Sequence, residues 1–160
     1  MAEKEDIPGV IVFPPLIPLT VLVVGVPLDW LLPLGLLNSI PVVARAVVGI
    51  ALFGVGLALL VSGDRAFKRI GTNVNPFQPS LALASGGVYS RLRNPMYVGG
   101  SMGLVGVVLC FGLEWTLLLF VASCFVLHYG VVLREERYLD AKFGEEYRRY
   151  QAKVPRWGIF

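Results

Sequence analysis

The chain has 160 residues, 56% of them hydrophobic and only 16% charged, so a soluble domain of this composition would lack the polar surface to cover its core; a bilayer is the solvent that fits. The formal charge of +3 comes without a basic patch interleaved with base-stacking aromatics, which excludes a nucleic-acid partner and leaves membrane lipids with anionic headgroups as its counterpart. One histidine and two cysteines, Cys110 and Cys124, without metal-ligand or CxxC spacing, argue against a bound metal and a structural disulfide, and both thiols are expected to be buried and free.

Residues 1–9 set Glu3, Glu5 and Asp6 against a single Lys4 and are followed by no clean small-residue cleavage site, which argues against a cleaved signal peptide. Four apolar stretches follow, near residues 10–28, 41–62, 96–113 and 115–133, each close to the roughly 20 residues that a spanning helix needs. The expected fold is therefore an all-α integral membrane protein with about four transmembrane helices. Pro14, Pro15, Pro18 and Pro27 interrupt the first stretch, which reads either as one kinked span or as a span plus a re-entrant piece around 30–37. The second stretch contains Gly49, Gly54 and Gly56, and the third Gly99, Gly100, Gly103 and Gly106. Such small residues let helices approach closely, and with no strand–turn–helix unit around them they do not form a dinucleotide loop.

The connection 63–95 carries Gly71-Thr72-Asn73-Val74-Asn75-Pro76-Phe77-Gln78-Pro79 and then Leu81-Ala82-Leu83-Ala84, turn formers beside apolar residues. A solvated linker would not need the latter, so the loop is expected to fold back over the membrane surface. Arg65, Lys68, Arg69, Arg91 and Arg93 lie in this connection and seven further cations lie after residue 133, whereas 29–40 and 112–115 have none. The positive-inside rule then places loop, tail and both termini in the cytoplasm. The chain reads as one domain, 1–160, made of an N-terminal hairpin (1–62), a loop (63–95), a second hairpin (96–133) and a tail (134–160). In the tail, Leu139, Phe143, Tyr147 and Tyr150 recur at helical spacing, which predicts an interfacial amphipathic helix bent at Gly144 with a solvated charged face.

Two polar clusters flank the second hairpin. Gly86-Gly87-Val88-Tyr89-Ser90-Arg91-Leu92-Arg93-Asn94-Pro95-Met96-Tyr97 precedes one apolar run, and Arg134-Glu135-Glu136-Arg137-Tyr138-Leu139 follows the next. A tight hairpin brings both to one face of the bilayer, where unpaired charge is costly. They then form either an Arg–Glu clamp, with Arg93 stapled to Glu135, or a site for a ligand bearing both charges. His128 lies seven residues before Glu135, two α-helical turns away on about the same face, and is a pocket-lining candidate.

Gly-x-Tyr, Arg-x-Pro-x-Tyr opening a span, Glu-Glu closing the next, then Phe143-Gly144-Glu145-Glu146-Tyr147-x-x-Tyr150 and Val154-Pro155-Arg156-Trp157 together resemble the isoprenylcysteine carboxyl methyltransferase family, a superfamily of integral membrane methyltransferases that includes phospholipid methyltransferases. The likeness covers about residues 70–157, and the N-terminal Pro-Pro-x-x-Pro is similar to the short prokaryotic branch, which implies a prokaryotic cytoplasmic membrane. The resemblance implies S-adenosylmethionine as methyl donor and a lipophilic or amphiphilic acceptor, either a carboxylate such as that of an isoprenylcysteine or a lipid amine. Carried over residue by residue, it implies a donor site of Gly87, Val88, Tyr89, Arg93, Asn94, Pro95, Tyr97, Glu135 and Glu136, with His128 added as lining, and catalytic roles for Arg93, Glu135 and Glu136. Asn94 stands where the family has histidine, and an amide cannot titrate near neutral pH. An NADPH-dependent reductase of the membrane sterol reductase type and a non-enzymatic membrane protein are the alternative readings.

Overall fold

A computed structural model of the chain describes residues 6–158, so Glu3, Lys4 and Glu5 lie outside the described residues. Every regular element in it is helical, in agreement with the all-α expectation: α1 (Leu16–Leu31), α2 (Val42–Ile70), α3 (Pro95–Phe111), α4 (Glu114–Leu127), α5 (Leu133–Phe143) and α6 (Glu145–Lys153). Two helical stretches are long and apolar enough to cross a membrane, α2 and the continuous Glu114–Phe143; α1 and α3 are shorter apolar helices.

Local chemistry explains where the boundaries depart from expectation. The first stretch becomes helical only at Leu16, because Pro14 and Pro15 supply no backbone donor and suit a helix start. Residues 10–15 instead run along the bundle, where Ile11 donates its amide to the Gly130 carbonyl at 3.1 Å and Val10 packs with Ile17 and Val131. The stretch 30–37 forms no re-entrant helix: Trp30 and Leu31 end α1, residues 33–35 are irregular and a turn follows at 36–39. The second helix outruns its apolar stretch and continues to Ile70, since Asp64 and Lys68 pair at i,i+4 and Lys68 and Arg69 suit a helix C-terminus. Gly71, at φ 67°, closes it in the left-handed conformation, and the long loop therefore starts eight residues later than expected.

Helix packing sets the shape of the interior. Gly49 and Gly56 of α2 meet Gly106 and Gly99 of α3 so closely that a methyl group on Gly56 would sit 2.5 Å from the Gly99 carbonyl oxygen. Gly54 and Gly100, by contrast, face open space. The other main pair is α1 on α4, where Gly25 lies against Thr116. At that end the Asp29 carboxylate accepts from the amides of Trp115 (2.7 Å) and Thr116 (3.2 Å) and from the Thr116 hydroxyl (2.7 Å), which satisfies the first donors of α4. α3 and α4 are joined by only Gly112 and Leu113, yet each packs mainly on a different partner, so the expected tight hairpin is splayed. The space between its arms is a cavity. Cys110 and Cys124 are free, but neither is fully buried: Cys110 is half-buried, and Cys124 is exposed where it borders this cavity.

Candidate active site

The cavity holds about 630 Å³ and runs from a polar end at Arg93, Tyr97, Glu135 and Glu136 to an apolar end at Leu104 and Phe120. Its polar end is assembled from three segments. Pro95 at the first position of α3 fixes where that helix begins, placing Tyr97 in the first turn and Arg93 and Asn94 just before it. Asn94 does not cap its helix; its side-chain amide donates to the Arg156 carbonyl at 3.2 Å, and the Arg93 amide donates to the Pro155 carbonyl at 3.0 Å. The residues after α6 are thus bound to the front of α3.

The two adjacent carboxylates have different surroundings. Glu136 accepts two bonds from the Arg156 guanidinium, 2.8 Å from Nε and 2.7 Å from the terminal nitrogen, and a third contact from Arg93 at 3.0 Å. Glu135 has one partner, the Tyr97 hydroxyl, which donates to it at 2.7 Å. The expected Arg93–Glu135 staple is therefore a correction: Arg93 pairs with Glu136 and Tyr97 with Glu135. Arg93 is about nine-tenths buried, also donates to the Tyr147 hydroxyl at 3.4 Å, and keeps its Nε buried without a partner. The Nε atoms of Arg45 and Arg134 are buried and unbonded in the same way, so what distinguishes Arg93 is its place on the cavity border beside Glu136.

Aromatic side chains form the floor. Tyr89 is buried in a short 3₁₀ turn opened by Gly87 at φ 62°, its ring packs tilted against Phe67 at 5.3 Å between centroids, and its carbonyl accepts from the Tyr150 hydroxyl at 2.7 Å. Burial pushes the Tyr89 and Tyr150 phenols well above their ordinary range, and burial with the nearby Glu136 charge pushes Tyr147 up to about 12. All three are neutral hydrogen-bonding groups at physiological pH.

The roof comes from the long loop and the N-terminal segment. Thr72 Oγ1 accepts from the amides of Leu81 (2.8 Å) and Ala82 (3.2 Å), folding residues 72–82 into a compact loop that borders the cavity. Phe77 of this loop lies 6.0 Å from Phe13, and the Tyr138 hydroxyl joins the two segments, accepting from the Ser80 amide and donating to Asp6. Asp6 also pairs with Lys142, whose ammonium holds the Asp6 carboxyl below its usual 3.8.

Of the residues singled out from sequence, Tyr89, Arg93, Asn94, Tyr97, Glu135 and Glu136 border the cavity; Gly87, Val88 and Pro95 do not, and act as backbone elements beside it. His128 is elsewhere. Residues His128–Val132 form a π turn, whose extra residue rotates everything before it by about 100° relative to an α-helix. His128 consequently lies in a side groove with Tyr129 and Trp157, off the face that carries Glu135. The residues that sequence reading passed over are Arg156, Tyr147 and Tyr150; the Val154-Pro155-Arg156-Trp157 motif was the available signal for the first.

The apolar helices and the partly open cavity, with its charged and hydrogen-bonded end, are those of a membrane protein with a candidate ligand site. The phospholipid methyltransferase family profile matches residues 44–146, and the chain belongs to this family of membrane methyltransferases. It is 39% identical over 62 residues to an uncharacterized protein of Haemophilus influenzae, covering 39% of this chain and 78% of that one. It is 33% identical over 73 residues to a protein-S-isoprenylcysteine O-methyltransferase of Schizosaccharomyces pombe, covering 46% of this chain but only 31% of the yeast protein. No solved structure matches the chain significantly.

Proposed function

We propose that the chain is an S-adenosylmethionine-dependent methyltransferase acting on a lipophilic or amphiphilic acceptor. One observation carries this reading: Arg93, a cation, and Glu135, which among the described residues has a single hydrogen bond and no cation partner, border the same cavity. An anion-seeking and a cation-seeking group facing the same space fit a zwitterionic donor, whose carboxylate would go to Arg93 and whose ammonium or sulfonium would lie near Glu135. Among the described residues no cluster of histidine, cysteine and acidic side chains suits a metal ion, and the reading needs none. When bound, the donor supplies an activated methyl group.

The chain's own residues orient and exclude. Tyr97 fixes the Glu135 carboxylate, Glu136 fixes Arg93, and the loop and N-terminal segment line the cavity beside them. A carboxylate acceptor requires no base; an amine would lose its proton to Glu135, the carboxylate that no cation neutralises. Asn94 is committed to the Arg156 carbonyl and serves as a structural donor. The apolar far end, bordered by Leu104 and Phe120, suits the acceptor's hydrocarbon portion.

In this reading α1 to α4 are four spans, α1 and α3 reaching bilayer length with their flanking residues. The cavity mouth and both termini face the cytoplasm, α6 lies in the interface with Tyr147 inward, and the membrane is a prokaryotic cytoplasmic one.

The test is ligand-dependent thermal stability of the purified protein in nanodiscs. S-adenosylhomocysteine should raise the melting temperature and NADPH should not, and Glu135→Gln should remove the increase. Stabilisation by NADPH alone would favour a reductase, and stabilisation by neither would leave a structural protein.

A further inference from the structure

Glu136 and Arg156 have so far entered only as neighbours of Arg93, yet their geometry fixes what Arg93 can do. Arg156 occupies both oxygens of Glu136, at 2.8 and 2.7 Å, in the side-by-side arrangement that guanidinium and carboxylate favour. Arg93 reaches Glu136 with one terminal nitrogen only, and its Nε is left buried and unbonded. Without Arg156, the nearest cation to Glu136 would be Arg93, and a carboxylate with two free oxygens would draw Arg93 into a full two-point pair. The surplus positive charge on the cavity border would then be lost.

Charge counting gives the same result. Arg93, Glu136 and Arg156 together carry +1, whereas Arg93 and Glu136 alone carry none. Since Arg93 and Glu136 are each about nine-tenths buried, that difference is poorly screened where the ligand would sit. The Arg156 backbone strengthens its placement, because its carbonyl takes the Asn94 amide.

We propose that Arg156 is a positioning residue for the donor site: it neutralises Glu136 and so frees Arg93 to bind the donor's carboxylate. The proposal rests on the donor reading above. It separates the paired acids by task, Glu136 as the anchor of an arginine pair and Glu135 as the carboxylate left facing the cavity.

The experiment is calorimetric titration of S-adenosylhomocysteine, which keeps the carboxylate, into nanodisc-embedded wild type and three variants. Arg156→Gln should weaken binding by roughly tenfold or more, the scale of a lost charged hydrogen bond. Arg156→Lys should bind between wild type and Arg156→Gln, because the charge remains while the two-point hold on Glu136 is lost. The double variant Arg156→Gln/Glu136→Gln should bind at least about threefold more tightly than Arg156→Gln, because Arg93 is no longer drawn to Glu136 even though it loses that anchor. Undiminished binding by Arg156→Gln overturns the proposal, and so does a double variant as weak as the single one, which would mean that Arg156 only fastens the tail. Wild-type protein that binds no S-adenosylhomocysteine overturns the donor reading and the proposal with it. If Arg156→Gln does not fold, the double variant decides: binding near wild type supports the proposal, and a loss above about tenfold overturns it.

Discussion

The Tyr97 hydroxyl donates to Glu135 Oε1 at 2.7 Å, joining the first turn of α3 to the first turn of α5 across the cavity mouth. Tyr97→Phe deletes that donor and leaves Glu135 without its one partner. Stability should fall by about 1 kcal/mol. Methyl transfer should fall more steeply, because a carboxylate free to rotate no longer holds one position, and the separation of melting temperature from turnover is the measurement to make.

Glu135→Gln and Glu136→Gln should behave differently although the residues are adjacent. Glu136→Gln leaves Arg93 and Arg156 facing a neutral amide and should lower the melting temperature of the unliganded protein, by an amount equivalent to about 3 kcal/mol. Glu135→Gln breaks no ion pair and should leave that temperature within a degree or two, equivalent to less than about 1 kcal/mol. Equal destabilisation by both would contradict the division between them.

Close approach of α2 and α3 makes a sharp contrast between two glycines two residues apart. Gly56→Ala would force a methyl group against the Gly99 carbonyl and should destabilise by about 1–3 kcal/mol. Gly54→Ala meets nothing and should be neutral or slightly stabilising. Urea or thermal unfolding in detergent reads both.

The N-terminal segment is fastened to α5 partly through Asp6, which lies beside Lys142. Because the Asp6 carboxyl is held below 3.8 in the folded protein, the ion pair contributes above pH 4 and is lost as pH falls through the lowered value. Limited proteolysis of the segment should therefore speed up a few-fold between pH 5 and pH 3, while Asp6→Asn should cleave at the faster rate throughout.

Asp29 fills three donors at the start of α4 from a different helix. Asp29→Ala should cost about 1–2 kcal/mol, and Asp29→Asn less, since an amide oxygen still accepts one of those bonds. Hydrogen exchange at the Trp115 and Thr116 amides would locate the effect.

Much of this arrangement is legible in the sequence because apolar length, proline and charge act locally. The helical class, the small-residue seam and the meeting of the Arg93 and Glu135 clusters all follow from such signals. Partner choice does not. That Arg93 selects Glu136, and that the tail supplies Arg156 as a competitor, depends on where residues 154–157 return in space, which no short-range pattern encodes. The end of α2 was misplaced because hydrophobicity marks where a helix leaves the bilayer and not where it stops. His128 was misplaced because an α-helical period was assumed through a segment that is not α-helical.

That π turn sets where the paired acids point. Residues 114–127 follow one angular phase and residues 133–143 another, and the offset is stored entirely in His128–Val132. Closing those five residues into regular α-helix without changing their number would turn Glu135 and Glu136 by about 100° away from Tyr97 and Arg93, whereas loss of one residue there would give a regular helix with both acids still at the cavity mouth. What aims the paired acids is thus the hydrogen-bond register of one turn, and a change that lets this turn tighten would disarm the site from a distance.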